Sequence, residues 1–150
     1  KEEIAAAGEH LRKLMAEAGL PYGRRTMTYN SRLAQELGCW ADDQHPGSDI
    51  HDALFKAYFV DNRDISQQKV LIEIAVSVGL DATQVKDVLE NRLYSPQITA
   101  HWERAWDSGV TGVPTFSSRD LYVVGCQPYD VLERFLNHLI KLRGEDSTMT

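Results

Sequence analysis

The segment Gly109-Val-Thr-Gly-Val-Pro-Thr-Phe116 constrains this chain more than any other, because it joins a predicted helix to a predicted hairpin through a proline. Proline has no backbone N–H, so Pro114 has to lie at the start of a strand or on a sheet edge. Gly112 lets the backbone turn sharply just before it. Only about 5–6% of X-Pro bonds are cis, so these residues alone leave trans as the default for Val113–Pro114. An ordinary loop proline stays open as an interpretation.

The residues on both sides of this turn predict a helix and two short strands. Ser95-Pro96 is typical of a helix start, and apolar residues then recur at helical spacing until Gly109. Runs of β-type residues at 115–118 and 121–124 predict a hairpin that Gly125 ends.

Apolar residues at helical spacing predict helices along the rest of the chain as well. These predicted helices cover residues from about 2 to 18, 31 to 42, 48 to 60, 66 to 79, 81 to 89 and 128 to 143. The predicted architecture is therefore mostly α with one small β-hairpin.

Several separated motifs resemble the DsbA-type thioredoxin-fold oxidoreductases, in particular their FrnE-like branch. The turn at 109–116 is followed by Tyr122-Val-Val-Gly125 and Gln127-Pro128, as in that branch. Further matches upstream are Asn30-Ser-Arg-Leu-Ala34, Leu54-Phe-Lys-Ala-Tyr-Phe59, Asp64-Ile-Ser66, Val70-Leu71, Gly79-Leu-Asp81 and Ala105. The resemblance covers about residues 20–142, and its motifs follow the order found in the family.

This resemblance implies a partial thioredoxin-like α/β fold, with the N-terminal βαβ unit missing. It divides the chain into a leading helix at 1–20, a helical insertion domain at 21–108, a C-terminal ββα unit at 109–143 and a flexible tail at 144–150. In the family the proline of the turn is cis and lies against a redox-active Cys-x-x-Cys pair. The resemblance thus implies that Val113, Pro114 and Thr115 bind the substrate peptide.

The cysteines depart from the family pattern, because the sequence has no Cys-x-x-Cys motif and its two cysteines, Cys39 and Cys126, are far apart. Cys39 lies in a helical pattern, where a buried cysteine behaves as a small apolar side chain. A packing role is favoured for Cys126 too, and the alternative is a reactive thiol activated by a helix that starts near Pro128. We therefore expect no catalytic residue in the chain itself.

Three functions from different classes follow. The favoured one is a fragment of a DsbA-family thiol-disulfide oxidoreductase that is inactive by itself, uses no cofactor and binds the protein or peptide substrate of its intact parent. The second is a non-catalytic peptide-binding or assembly module. The third is a relative of the glutathione-dependent 2-hydroxychromene-2-carboxylate isomerases and kappa-class transferases. Thr111 and Gly125-Cys-Gln-Pro128 differ from that last branch and favour the oxidoreductases.

A lone hairpin also predicts self-association. Two strands are marginally stable in water unless a helix or more strands cover them, and an open sheet edge invites strand addition. We expect a homodimer or a larger assembly in which the hairpins or final helices of two chains cover each other.

Other classes of partner and site receive no support. The net charge of −6 argues against binding to nucleic acid. No apolar run approaches the roughly 18 residues that a membrane-spanning helix needs, so no membrane contact is expected. Cytoplasm is the default location. The five histidines are scattered, so no metal site is expected, and Asp42-Asp43 with His45 is interpreted as a solvated loop. The pairs Trp102/Trp106 and Tyr58/Phe59 are interpreted as core packing.

Overall fold

The structure, a computed structural model, describes residues 2–24, 27–118 and 120–147. The chain divides into two compact units, Lys1–Ala100 and His101–Thr150. In chain order the elements are α1 (Glu2–Glu17), α2 (Arg32–Gln44), α3 (Ile50–Phe55), a π-helical segment (Lys56–Val60), α4 (Gln68–Ser77), α5 (Ala82–Glu90), α6 (Ser95–Asp107), β1 (Thr115–Ser118), β2 (Leu121–Val124) and α7 (Tyr129–Ser147). The predicted fold class, mostly α with one hairpin, is confirmed.

The first unit has its own apolar core, made where α2, α3, α4 and α5 pack against one another. Leu37, Leu71, Val85 and Leu89 are completely buried there, and each comes from an apolar position of a helix that the sequence predicts. Burial of such a side chain contributes about 1.5–3 kcal/mol, so this core holds the four helices together.

The connection between α4 and α5 shows why these helices end and begin where they do. Gly79 adopts a φ of 85°, and the N–H of Leu80 donates to the carbonyl of Ala75 at 3.0 Å, as in a glycine-terminated helix. Asp81 then accepts hydrogen bonds from the backbone N–H groups of Thr83 and Gln84 at 3.0 and 2.9 Å. The predicted glycine end and aspartate start are both present.

The third helix differs from its prediction, because its second half is a π-helix. The N–H of Asp61 donates to the carbonyl of Lys56 at 3.0 Å, five residues back, and Arg63 reaches Ala57 at 2.8 Å. Gly23 packs closely on this widened turn, where an added Cβ would lie 2.2 Å from the carbonyl oxygen of Val60. Side-chain periodicity alone does not distinguish such a turn from an α-helix.

Glu36 is a charged residue that is buried in the first unit, with no solvent exposure. It is paired with Arg92, which lies in the connection between α5 and α6, and with Arg32 one helical turn before it. Arg32 also donates to the carbonyl of Ser95 at 3.1 Å, at the start of α6. This ion cluster ties α2 to the segment from which α6 begins.

The second unit contains an antiparallel hairpin followed by α7. Thr115 pairs with Val124 and Ser118 with Leu121, within the strand limits that the sequence predicts. Helix α7 continues past Gly144 to Ser147, so the predicted tail begins with a helical turn. A single glycine costs a helix only about 1 kcal/mol, which does not end a long one. Among the described helices, none has the length and apolar character needed to cross a bilayer.

Candidate functional site

The turn between α6 and β1 is fixed by backbone and side-chain hydrogen bonds. Gly109 adopts a φ of 71°, and the N–H of Val110 donates to the carbonyl of Ala105 at 2.9 Å, which ends α6. The Thr115 hydroxyl then donates to the carbonyl of Gly112 at 2.6 Å, across the Val113–Pro114 bond, which is cis. The turn is therefore a defined structure that positions the residues before β1.

Val113 is the most exposed large apolar residue of this turn, with 89% of its surface accessible. The carbonyl of Pro114 already accepts the N–H of Gly125 at 2.8 Å and so faces β2. Within the described part of the chain, by contrast, the backbone N–H and C=O of Val113 have no hydrogen-bond partner. These two groups are the backbone polar atoms that an extended peptide could pair with at this edge.

The hairpin keeps several apolar side chains accessible to solvent. Phe116 is 40% exposed on β1, and Tyr122 and Val124 are 47% and 43% exposed on β2. Opposite residues of a hairpin share a face, so Val124 lies beside Thr115 and Phe116 lies beside Val123. Both faces of the described sheet thus present apolar surface close to the Val113 edge.

The tryptophans of α6 do not form the core pair that their spacing predicts. Trp102 and Trp106 do contact each other edge to face, with ring centroids 6.3 Å apart, but they are 37% and 68% exposed. Helical spacing places two residues on one face but does not ensure that another element covers that face. The Tyr58/Phe59 pair fits its packing interpretation better, since its half-buried rings lie 4.9 Å apart and Tyr58 packs on the core.

Cys126 is exposed, so the packing role favoured for it is wrong. The chain turns at Gly125, which has a φ of 91°, and Cys126 therefore lies in the connection to α7 and not in the sheet. Gln127 fixes this connection by donating from Nε2 to the carbonyl of Val124 at 2.7 Å. An accessible thiol can exchange with disulfides when it ionises.

Cys39 is half-buried in α2 and less suited to thiol chemistry. Burial raises the pKa of its thiol, and the carboxylates of Asp43 and Asp42 raise it further. The thiol is therefore held in its protonated, less nucleophilic form. This agrees with the packing interpretation of Cys39.

The acidic residues near His45 have other partners than the sequence suggests. Asp42 contacts His51, whose Nε2 lies 2.8 Å from Oδ1, whereas the ring of His45 packs on Trp40 with centroids 5.0 Å apart. Within the described residues, no three His, Cys, Asp or Glu side chains form a metal-binding group.

Sequence reasoning missed the ion cluster around Glu36. Its partner Arg92 is 56 residues further on, and no local spacing connects the two. A glutamate between apolar residues in α2 was the one available signal, because charged side chains are buried only when they are paired. No comparable signal in the sequence predicts the contact between His51 and Asp42.

Comparisons with known proteins agree with this geometry. The family model described as a DSBA-like thioredoxin domain matches residues 1–137. A Bacillus subtilis (strain 168) protein named "Uncharacterized protein YwbO" is 29% identical over 106 residues, which are 70% of this chain and 53% of that protein. The chain thus spans about half the length of this curated relative.

Two solved structures share the fold. The crystal structure of a "putative protein disulfide isomerase" from Nitrosomonas europaea is 18% identical, with a TM-score of 0.70 over 94% of this chain and 75% of that chain. The cytosolic disulfide reductase DsbM from Pseudomonas aeruginosa, solved with GSH, is 20% identical, with a TM-score of 0.58 over 88% and 74% of the two chains. At these identities the likeness shows the fold alone.

Proposed function

Since this chain belongs to the DSBA-like thioredoxin domain family, we propose that it is the substrate-binding part of a thiol-disulfide oxidoreductase. An extended peptide pairs with the backbone of Val113, and Pro114 and Thr115 form the adjoining surface. The exposed, unpaired backbone of Val113 is the observation that carries this proposal. Side chains of the peptide would contact the accessible apolar residues of the hairpin.

The chemistry of the family needs two neighbouring thiols. A thiolate attacks a substrate disulfide, a mixed disulfide forms, and a second thiol resolves it. These 150 residues supply only Cys39 and Cys126 and no Cys-x-x-Cys pair. We therefore propose that the chain is inactive by itself in dithiol exchange and that the catalytic pair comes from outside these residues.

An insulin reduction assay with dithiothreitol tests this proposal. The 150-residue chain should not raise the rate of insulin precipitation above that of dithiothreitol alone. A rate that matches a protein with a Cys-x-x-Cys pair would contradict it. The variant Cys126→Ser should behave as the unchanged chain does.

Glutathione is the second candidate ligand, because a structural neighbour was solved with GSH. The chain departs from the glutathione-dependent isomerases and transferases at Thr111 and at residues 125–128. These departures argue against membership of that branch. Calorimetry decides between them, since a glutathione-dependent relative should bind glutathione saturably and a peptide-binding module should not.

Self-association is the remaining part of the proposal. Tyr129, Leu136 and Ile140 share one face of α7 by their spacing and are 78%, 56% and 59% exposed. An apolar stripe of this kind on a surface helix is typical of a protein interface. We propose a homodimer in which this stripe meets its copy on a second chain.

A further inference from the structure

The first unit contains a cleft that the proposed function does not use. It lies between the C-terminal end of α2 and helix α5 and has a volume of about 300 Å³. Small-molecule sites occupy roughly 300–1,000 Å³, so this cleft has room for a small ligand.

The cleft combines an apolar wall with hydrogen-bonding groups. Trp40, Val88 and Leu93 supply the wall. The polar groups come from Gln44, His45, Gln84 and Asp87, and none of the residues that line the cleft in the described chain is lysine or arginine. Its fixed charge is therefore the negative charge of Asp87.

The carboxylate of Asp87 is held in place by a residue of the next turn. Asn91 donates from Nδ2 to Oδ1 of Asp87 at 2.8 Å and to its backbone carbonyl at 3.1 Å. Among the described residues, Oδ2 of Asp87 has no hydrogen-bond partner. One carboxylate oxygen thus orients the group, and the other can accept a hydrogen bond from a ligand.

An ammonium group matches these acceptors. It has three N–H donors, and the cleft has Oδ2 of Asp87 together with the carboxamide oxygens of Gln44 and Gln84. A carboxamide can turn either its oxygen or its nitrogen to a ligand, so the glutamines suit either charge and Asp87 decides the sign. The net charge of −6 adds a long-range attraction for cations.

The wall favours a ligand with an apolar body. Trp40 is only 5% exposed and its ring contacts His45 edge to face, which fixes the indole beside the cleft. Leu93 is 54% exposed, so it offers the cleft an accessible apolar side chain. A ligand that covers Leu93 would remove this apolar surface from water.

The conformation that presents Leu93 is built into the fold. Arg92, just before it, has a φ of 52°, the left-handed conformation in which helices commonly end. Two hydrogen bonds to the buried Glu36 hold Arg92 there, and the N–H of Leu93 donates to the carbonyl of Val88 at 3.1 Å. These hydrogen bonds fix the helix end that carries Leu93.

From this geometry we infer that the cleft binds a small organic cation, a primary amine with a short apolar body, and that Asp87 is its counter-ion. The ammonium group lies among Asp87, Gln44 and Gln84, and the apolar body covers Leu93 beside Trp40. This is a binding site distinct from the peptide-binding edge proposed in the second unit.

Calorimetry at about pH 8, with 2-phenylethylamine as the probe, tests this inference. Saturable binding is expected, and Asp87→Asn should weaken it at least tenfold. Glu90→Gln is the matched control, because it removes an exposed carboxylate from the same helix and Glu90 does not line the cleft. It should change the affinity less than twofold.

Two further measurements keep the test decisive. 3-Phenylpropionate, which has a carboxylate in place of the amine, should not bind the unchanged chain, and Gln84→Ala should weaken amine binding without altering the circular dichroism of the protein. The inference is overturned if the amine does not bind saturably, if both phenyl compounds bind equally, or if Asp87→Asn has no more effect than Glu90→Gln.

Discussion

Arg92 donates two hydrogen bonds to Glu36, from Nε to Oε2 at 2.8 Å and from Nη2 to Oε1 at 2.6 Å. The Glu36 side chain has no solvent exposure, whereas 44% of the Arg92 side chain is exposed. The hydrogen bond to Glu36 raises the pKa of Arg92, so the guanidinium stays charged at any practical pH. Two segments far apart in the chain thus depend on one buried carboxylate.

This asymmetry predicts that the two partners contribute unequally to stability. Arg92→Met should lower the free energy of unfolding by about 2–3 kcal/mol, below the roughly 3–5 kcal/mol for a broken buried pair because Arg32 remains near Glu36. Glu36→Gln should cost only about 1 kcal/mol, since Arg92 can turn to water.

Urea unfolding measures both variants, with Arg134→Met as the control. Arg134 pairs with Asp130 on the surface of α7, where loss of the pair should cost under about 0.5 kcal/mol. Equal losses for Arg92→Met and Arg134→Met would contradict the structural role of the buried Glu36 carboxylate.

The two thiols should react at different rates. Cys126 is exposed, whereas burial and then the neighbouring carboxylates raise the pKa of Cys39. At about pH 8, iodoacetamide should modify Cys126 at least on the order of tenfold faster than Cys39. Mass spectrometry of the single variants Cys39→Ser and Cys126→Ser gives each rate separately.

Asp43→Asn should speed the reaction of Cys39, because it removes the larger of the two carboxylate effects on its pKa. Asp52→Asn, on helix α3, is the control and should change neither rate. Faster modification of Cys39 than of Cys126 in the unchanged chain would contradict the greater accessibility of the Cys126 thiol.

Asp64 should make stability depend on acid pH. The hydroxyl of Ser66 donates a hydrogen bond to the carboxylate of Asp64 and lowers the pKa of that carboxyl below 3.8. The backbone of Ser66 and the side chain of Gln67 lower this pKa by smaller amounts. A carboxyl whose pKa is lowered by folding stabilises the protein above its unfolded pKa, and this stabilisation is lost as the pH falls through the folded pKa. Asp64→Asn should therefore unfold more easily than the unchanged chain near neutral pH.

The difference between these two proteins should shrink as the pH falls below 3.8. Urea midpoints at several pH values measure it, and Asp120→Asn serves as a control on the β-hairpin. A constant difference across the whole range would mean that Asp64 acts through packing and not through its charge.

The apolar stripe of α7 should decide the oligomeric state. Light scattering at micromolar concentration should give twice the mass of one chain, and Leu136→Glu with Ile140→Glu should give the mass of a single chain. Val76→Glu is the matched control, because Val76 is 50% exposed on α4, outside the proposed interface. A strictly monomeric unchanged chain would rule out the proposed dimer.

Sequence reasoning predicted the elements whose signals are local. The limits of β1 and β2, the glycine end at Gly79 and the aspartate start at Asp81 each depend on residues close together in the chain. The family resemblance added the Val113–Pro114 turn as a candidate site, which composition and spacing could not do. The predicted helix and strand limits match the structure because the tertiary fold agrees with local preference at these residues.

What sequence reasoning missed depends on tertiary contacts. The Glu36–Arg92 pair joins distant residues, and the exposure of Trp106 and Cys126 depends on which elements cover them. The cleft between α2 and α5 likewise exists only where these two helices lie side by side. Periodicity assigns a residue to a face of its helix, but only packing determines what that face meets.

The proposed function requires the Val113 edge to bind an extended peptide through its backbone. An NMR titration of the ¹⁵N-labelled chain with a short Thr/Val peptide, and with the same peptide N-methylated at every residue, tests this binding. The unmodified peptide should shift the amide signals of Val113 and Thr115 saturably, while the N-methylated one, which lacks the pairing N–H groups, should leave them unchanged. Unshifted signals with both peptides, or equal shifts with both, would contradict the claim.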